Sequence, residues 1–346
     1  MTLAKTKETL EAMRAAEVFG DYAVLVNLRG EEVLLTSDGV DEFTYFDVAS
    51  MGKVLITTPL ILRAVSEKRI SLDSTLPEFF ADVPAHLTGV TVRHLLTHTS
   101  GIVRFEFPEE ARSFDREQLA AMMLAHPAAF RPGESMQYSC NGCILLGFIA
   151  EKVYGAPFEE LFESYIRAPL GFTRSSCRIA VDEPNAVVGY NRREALGQRF
   201  DDHNVRIMNR AVGSGGQFFC VRDMDTYLDA VMRKDARLYA RELFDAAERD
   251  YTPQFSEGRG LGWQYVDERY MQTGRLFPAG SFGHCGHTGM SMFMNRSMGL
   301  RVVIATNATR YAAKKHGFAR YDYGDTMRMR AVVHNAIAED LAGYSG

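Results

Sequence analysis

The chain has 346 residues, 46% of them hydrophobic and 24% charged, and a net charge of −5. That is enough material for a large core without metal or disulfide staples, and it offers no basic surface for nucleic acid. No apolar run approaches the ~18 residues that a membrane span needs, so neither nucleic acid nor a membrane is an expected partner.

The first twenty residues, MTLAKTKETLEAMRAAEVFG, carry charges throughout and lack an apolar stretch. They read as an amphipathic helix, not as a secretory signal. Five scattered cysteines, an odd number, suit reduced thiols better than a disulfide framework. A soluble, cytoplasmic protein is the expectation.

YAVLVNL (Tyr22–Leu28) and EEVLLT (Glu31–Thr36) are β-rich and separated only by Arg29 and Gly30, which predicts a hairpin. Residues 51–68 have helical periodicity through Val54, Leu55, Ile61, Leu62 and Val65, with a kink or distorted turn expected at Pro59. From about residue 71 to 250 the rhythm is mostly helical, in TVRHLLTH, EQLAAMMLAH, ILLGFIAEKVYG, FEELFESYI and RDMDTYLDAVM. Strand-like runs return at GLGWQYV, GMSMFMN and LRVVIATN, and a helix over about 324–342 closes the chain. The economical arrangement is an α+β fold. Residues 1–75 and 260–346 form an antiparallel sheet flanked by the terminal helices, residues 76–259 form a mostly helical insertion, and the active site lies between the two.

Within FDVASMGKVLITTP, Ser50 and Lys53 stand three residues apart at the start of a helix. A serine hydroxyl is a poor nucleophile until a base takes its proton, and a lysine one turn later reaches it from the same face. Backbone N–H groups at the helix start suit an oxyanion. The bland alternative is a serine that merely caps the helix. Farther on, FRPGESMQYSCNGCILLG places Tyr138 in a turn-rich loop, where a phenol could relay a proton or simply fill a core. FGHCGHTGMSMFMN places His287, Thr288 and Gly289 on what reads as an exposed strand, or as turn chemistry.

Taken in order, these segments resemble the serine β-lactamase and penicillin-binding-protein superfamily, in particular its class C β-lactamase-like branch of esterases, D-peptidases and transacylases. VRHLLTHTSGI (Val92–Ile102) and AVGSGGQFFCVRDMDTYL are similar to further blocks of that family, and the likeness runs from about Tyr22 to Asn307. The resemblance implies a β-lactamase/transpeptidase-like fold with Ser50 as acylated nucleophile and Lys53 and Tyr138 as the proton-transfer pair. It further implies an oxyanion hole from the backbone N–H groups of Ser50 and Met290, and substrate contacts from Cys140, His287, Thr288 and Gly289, with no cofactor and no metal. Two departures stand out: Cys140 replaces the usual Asn of Y-x-N, and His287 takes the place of the lysine of K-T-G. A thiol recognises an amide poorly and a histidine need not be charged at pH 7. Together they lead to an expectation of ester or amide substrates without a carboxylate beside the scissile bond, and of poor β-lactam turnover.

Other signals are weaker. Cys140 and Cys143 form a lone C-x-x-C without the second pair a zinc site wants. His94 and His98 are i, i+4 neighbours without a glutamate between them. Gly213–Gly216 lacks a following Gly-Lys-Ser/Thr and reads as a tight backbone crossing near the cleft. Asp202 and Asn204 in FDDHNVR suit a cleft rim or a solvated loop equally. The functional expectation is a serine hydrolase acting on a small molecule or small peptide. The alternatives are an acyl-transferring enzyme of a biosynthetic pathway and a non-catalytic sensor of the same fold.

Overall fold

The computed structural model describes residues 1–180, 183–187, 189, 203–269, 272–316 and 323–344. Strand β1 (Tyr22–Leu28) is buried at every position. It pairs antiparallel with β2 (Glu31–Thr36) on one side and with β9 (Leu300–Thr306) on the other. The turn joining β1 to β2 puts both Arg29 (φ 53°) and Gly30 (φ 93°) in the left-handed region, as a two-residue hairpin requires.

The remaining strands are β3 (Phe46–Asp47), β4 (Ser175–Ser176), β5 (Phe218–Phe219), β6 (Gln264–Tyr265), β7 (Phe282–Gly286) and β8 (Met290–Asn295). The large sheet runs β2-β1-β9-β8-β7-β6 and is antiparallel throughout, so its strands come from residues 22–36 and 264–306. A small sheet, β3-β5-β4, ties the chain just before Ser50 to the insertion.

Alternation along β1 decides what each face of the sheet covers. Val24, Val26 and Leu28 join Leu10, Met329, Val333 and Ile337 under helix α1 (Ala4–Ala15) and the C-terminal helix Tyr323–Ala342. Ala23 and Leu25 join Val54, Leu55, Tyr227 and Trp263 in the larger core shared with the insertion. The two terminal helices are also tied by polar contacts: the Asp340 carboxylate accepts the Lys5 and Thr6 N–H groups at the otherwise unpaired start of α1. Among the described residues no helix is long and apolar enough to cross a membrane.

The helical stretch after Ser50 is less regular than its periodicity predicts. A 3₁₀ turn, Ala49–Met51, leads into a π turn, Lys53–Thr57, and only then into α2 (Thr58–Ser66). The distortion precedes Pro59 because proline has no N–H for the ladder and its ring crowds the turn before it, which a wider turn accommodates.

Opposite this stretch, the glycines of AVGSGGQF form a backbone crossing. A Cβ on Gly213 would lie 2.0 Å from the Cys143 carbonyl oxygen and 2.9 Å from the Gly147 nitrogen. The Gly213 carbonyl meanwhile accepts the Thr57 hydroxyl at 2.8 Å. Gly213→Ala should therefore destabilise the protein by about 1–3 kcal/mol, the usual cost of overpacking. Urea unfolding checks this, and an unchanged midpoint would show that the crossing has slack.

Candidate active site

Ser50 is lifted toward solvent by the residue before it. Ala49 has φ +45°, a conformation that costs an L-residue roughly 1–2 kcal/mol. It is held there by its N–H, which donates to Asp47 Oδ1 at 2.8 Å, and the preceding Val48 N–H donates to the Gln217 carbonyl at 3.1 Å. Ser50 thus borders a cavity of about 870 Å³ between β7 and the insertion.

Lys53 is 2% exposed. Its Nζ donates to Ser50 Oγ at 3.0 Å, to the Ser214 carbonyl at 2.9 Å and to Cys140 Sγ at 3.5 Å, and lies 5.1 Å from the centroid of the Tyr138 ring. The structure thus brings Ser50, Tyr138 and Cys140 together on the cavity wall, with Lys53 buried behind them and in contact with Ser50 and Cys140.

Tyr138 is braced by VRHLLTHTSGI. His98, buried and at φ +58°, has its ring 4.7 Å from that of Tyr138. Its carbonyl accepts the Gln137 N–H and its Nδ1 accepts the Ser139 N–H at 3.3 Å. Ser139 in turn caps helix Cys140–Tyr154 by accepting the Gly142 N–H, which leaves Cys140 at the first helical position facing Lys53.

Burial works against the Lys53 ammonium, while negative charge on Cys140 or Tyr138 works for it; with those charges present the balance lies above the usual lysine value. Burial raises the Tyr138 phenol, although the Lys53 charge pulls it back, and pushes the Cys143 thiol up to about 12. Amine beside phenol and ammonium beside phenolate hold the same number of protons. A single transfer interconverts them, so the pair titrates as one unit. Tyr138 still presents 37% of its surface, toward the cavity it lines.

The expectation that His287, Thr288 and Gly289 lie on an exposed strand is corrected. They form the three-residue turn between β7 and β8. Gly289 has φ +105°, and a Cβ there would lie 2.3 Å from Thr306 Oγ1, so the glycine serves the turn. His287 and Thr288 border the cavity, and Thr288 Oγ1 donates to the Asp47 carbonyl at 2.6 Å. Gly289 and Met290 are not among the cavity's lining residues; Met290 is fully buried, opposite Gly286 in the ladder. The residues that end the strand beside the Ser50 segment are His284, Cys285 and Gly286, and a Cβ on Gly286 would lie 2.5 Å from the Val48 carbonyl oxygen. His284 is 1% exposed, lines the cavity, and has its ring 6.2 Å from that of Tyr138.

Sequence reasoning also missed Ser214, Asn141 and Arg259, all of which border the cavity. For Arg259 the only signal was a basic residue between two glycines in SEGRGLGW. Asn204 lies on the cavity wall, accepting the Phe107 N–H at 2.9 Å, whereas Asp202 falls outside the described residues.

This geometry can be set beside that of known proteins. Esterase EstB of Burkholderia gladioli is 27% identical over 352 residues, covering 86% of this chain and 88% of that protein. D-alanyl-D-alanine-carboxypeptidase/endopeptidase AmpH of Escherichia coli K12 is 25% identical over 279 residues, covering 74% and 70%. A class C beta-lactamase from Rhodobacter sphaeroides shares the fold with a TM-score of 0.74 over 97% of this chain and 99% of that one, at 17% identity. The relatives are hydrolases by name, the fold is that of β-lactamases, and residues 7–322, which span the whole cavity, match the family model described as Beta-lactamase; the chain belongs to the beta-lactamase family.

Proposed function

We propose that the protein is a serine hydrolase that cleaves an ester or amide of a small molecule or small peptide through an acyl-enzyme on Ser50. The contact that carries this reading is Lys53 Nζ at 3.0 Å from Ser50 Oγ, buried beside the Tyr138 ring. In the reaction, the Ser50 hydroxyl proton passes to the Lys53–Tyr138 pair as Oγ bonds to the substrate carbonyl carbon. The resulting oxyanion is received by the Ser50 N–H and by a backbone N–H at the end of β7, for which we assign His287, the first residue past Gly286, in place of the buried Met290. Collapse breaks the bond to the leaving group, which takes the proton held by the pair. Water then repeats the sequence on the acyl-enzyme and restores Ser50. Cys140 and Thr288 line the space in which the acyl group would sit.

The test is intact mass after treatment with a fluorophosphonate. One adduct is expected, mapped by peptide analysis to Ser50 and missing in Ser50→Ala. Turnover of acyl esters by a protein that labels elsewhere, or not at all, would remove the assignment.

A further inference from the structure

Cavity walls in folded proteins rarely leave buried polar atoms without partners, because each costs free energy until something fills it. This cavity has several. Arg259, His284, Ser214 and Asn141 line it, and among the described residues Arg259 Nε and Nη1, His284 Nε2, Ser214 Oγ and Asn141 Oδ1 are buried with no hydrogen-bond partner. Arg259 is the most demanding of them. It is 1% exposed, and among the described residues only its Nη2 is paired within the guanidinium, with Glu257 Oε1 at 2.7 Å. That glutamate is itself held by Gln264 Nε2 at 2.9 Å. The guanidinium carbon lies 5.4 Å from the centroid of the Tyr138 ring, the same ring that Lys53 Nζ approaches at 5.1 Å. The permanently charged group is thus one aromatic ring away from the amine that contacts Ser50.

We propose that Arg259 forms a carboxylate subsite, so that the acyl substrate of this enzyme carries an anionic group on the part of the molecule that reaches past Tyr138. A guanidinium with one nitrogen engaged still has donors for two acceptor oxygens, and a carboxylate offers two on one carbon with the opposite charge. His284 adds a second requirement. Its Nδ1 lies 2.8 Å from the Cys285 carbonyl, an acceptor only, so Nδ1 carries the proton and Nε2 is left to accept an N–H or O–H of the substrate. The expectation of a carboxylate-free substrate rested in part on the missing lysine of K-T-G, beside the Cys140 replacement. Arg259, reaching the cavity from the segment before β6, supplies a cation that the motif does not, and reverses it.

The inference rests on the acyl-transfer reading, and the experiment separates the two. 4-Nitrophenyl hydrogen glutarate, with its succinate and adipate homologues to vary reach, is compared with the corresponding 4-nitrophenyl methyl diesters, which are similar in shape but neutral. Wild type should favour a carboxylate ester in kcat/KM by roughly 10- to 150-fold, the range of a charge-assisted hydrogen bond. In Arg259→Gln the preference should collapse, with the loss in KM of the carboxylate ester, and Arg259→Lys should restore part of it. Equal turnover of both ester types by wild type would overturn the subsite. So would a fall in kcat shared by both esters in Arg259→Gln, which would place the arginine's role on the Tyr138 ring. Should Arg259→Gln fail to fold, or should neither ester be turned over, calorimetry of glutarate against monomethyl glutarate on Ser50→Ala decides the matter. Binding of the dianion alone supports the subsite even if the acyl-enzyme reading has failed, and equal or absent binding refutes it.

Discussion

Lys53→Ala should lower kcat/KM by roughly 10²–10⁴, the range of a lost general base, and Tyr138→Phe should do the same. The double variant should be no slower than the worse single. The reason lies in the contacts. Lys53 Nζ touches Ser50 Oγ, Cys140 Sγ and the Ser214 carbonyl, and the phenol beside it is that of Tyr138, 5.1 Å from the ring centroid. Either residue alone lacks a place to send or recover the proton, so removing the second after the first removes nothing further. The measurement is steady-state kinetics of the four-member cycle, with urea unfolding of each variant to separate chemistry from folding. A double-mutant loss equal to the product of the two single losses would show that the residues act independently and that the shared-proton account is wrong.

Much of the arrangement was legible because it depends on local rules. The β1–β2 hairpin follows from two strand-forming runs around Arg29-Gly30, and the terminal location of the sheet follows from where alternating apolar residues occur. Ser50 and Lys53 were readable because one helical turn separates them, and the π turn at Lys53–Thr57 did not disturb that contact. What escaped was tertiary. FGHCGHTG contains two His-x-Gly triplets three residues apart, and composition does not say which ends a strand and which makes the turn. That is decided by Gly286 meeting the Val48 carbonyl and by Gly289 needing positive φ. VRHLLTHTSGI could be seen as a distinctive block, but that His98 braces Tyr138 depends on a loop more than thirty residues away. Arg259 had no periodic or motif signal; it became visible only as a buried guanidinium on the cavity wall, with Nε and Nη1 unpartnered among the described residues.

The two triplets give the remaining large effect. Gly286→Ala should cost about 10²-fold in kcat/KM, whereas Gly289→Ala should act first on stability. On Gly286 the added methyl would start 2.5 Å from the Val48 carbonyl oxygen and 3.0 Å from Met290 Cβ. Backbone atoms there have little room to retreat, so β7 must move off the segment that carries Ala49 and Ser50. A displacement near 1 Å between nucleophile and oxyanion donors is worth about that factor in rate. On Gly289 the methyl would meet Thr306 Oγ1 at 2.3 Å and Ala308 Cβ at 2.9 Å in a backbone conformation at φ +105° that alanine resists. It would also disturb the Thr306 hydroxyl's bond to the Gly289 carbonyl. The cost falls on the junction of β8, β9 and the helix Ala308–His316, and should appear as ~1–3 kcal/mol of lost stability. Kinetics normalised to the fluorophosphonate-reactive fraction separates the two effects. If Gly289→Ala proved fully stable and inactive while Gly286→Ala retained normal turnover, then His287–Thr288–Gly289 would be the functional triplet, and the assignment of the strand end His284–Cys285–Gly286 to the active site would be wrong.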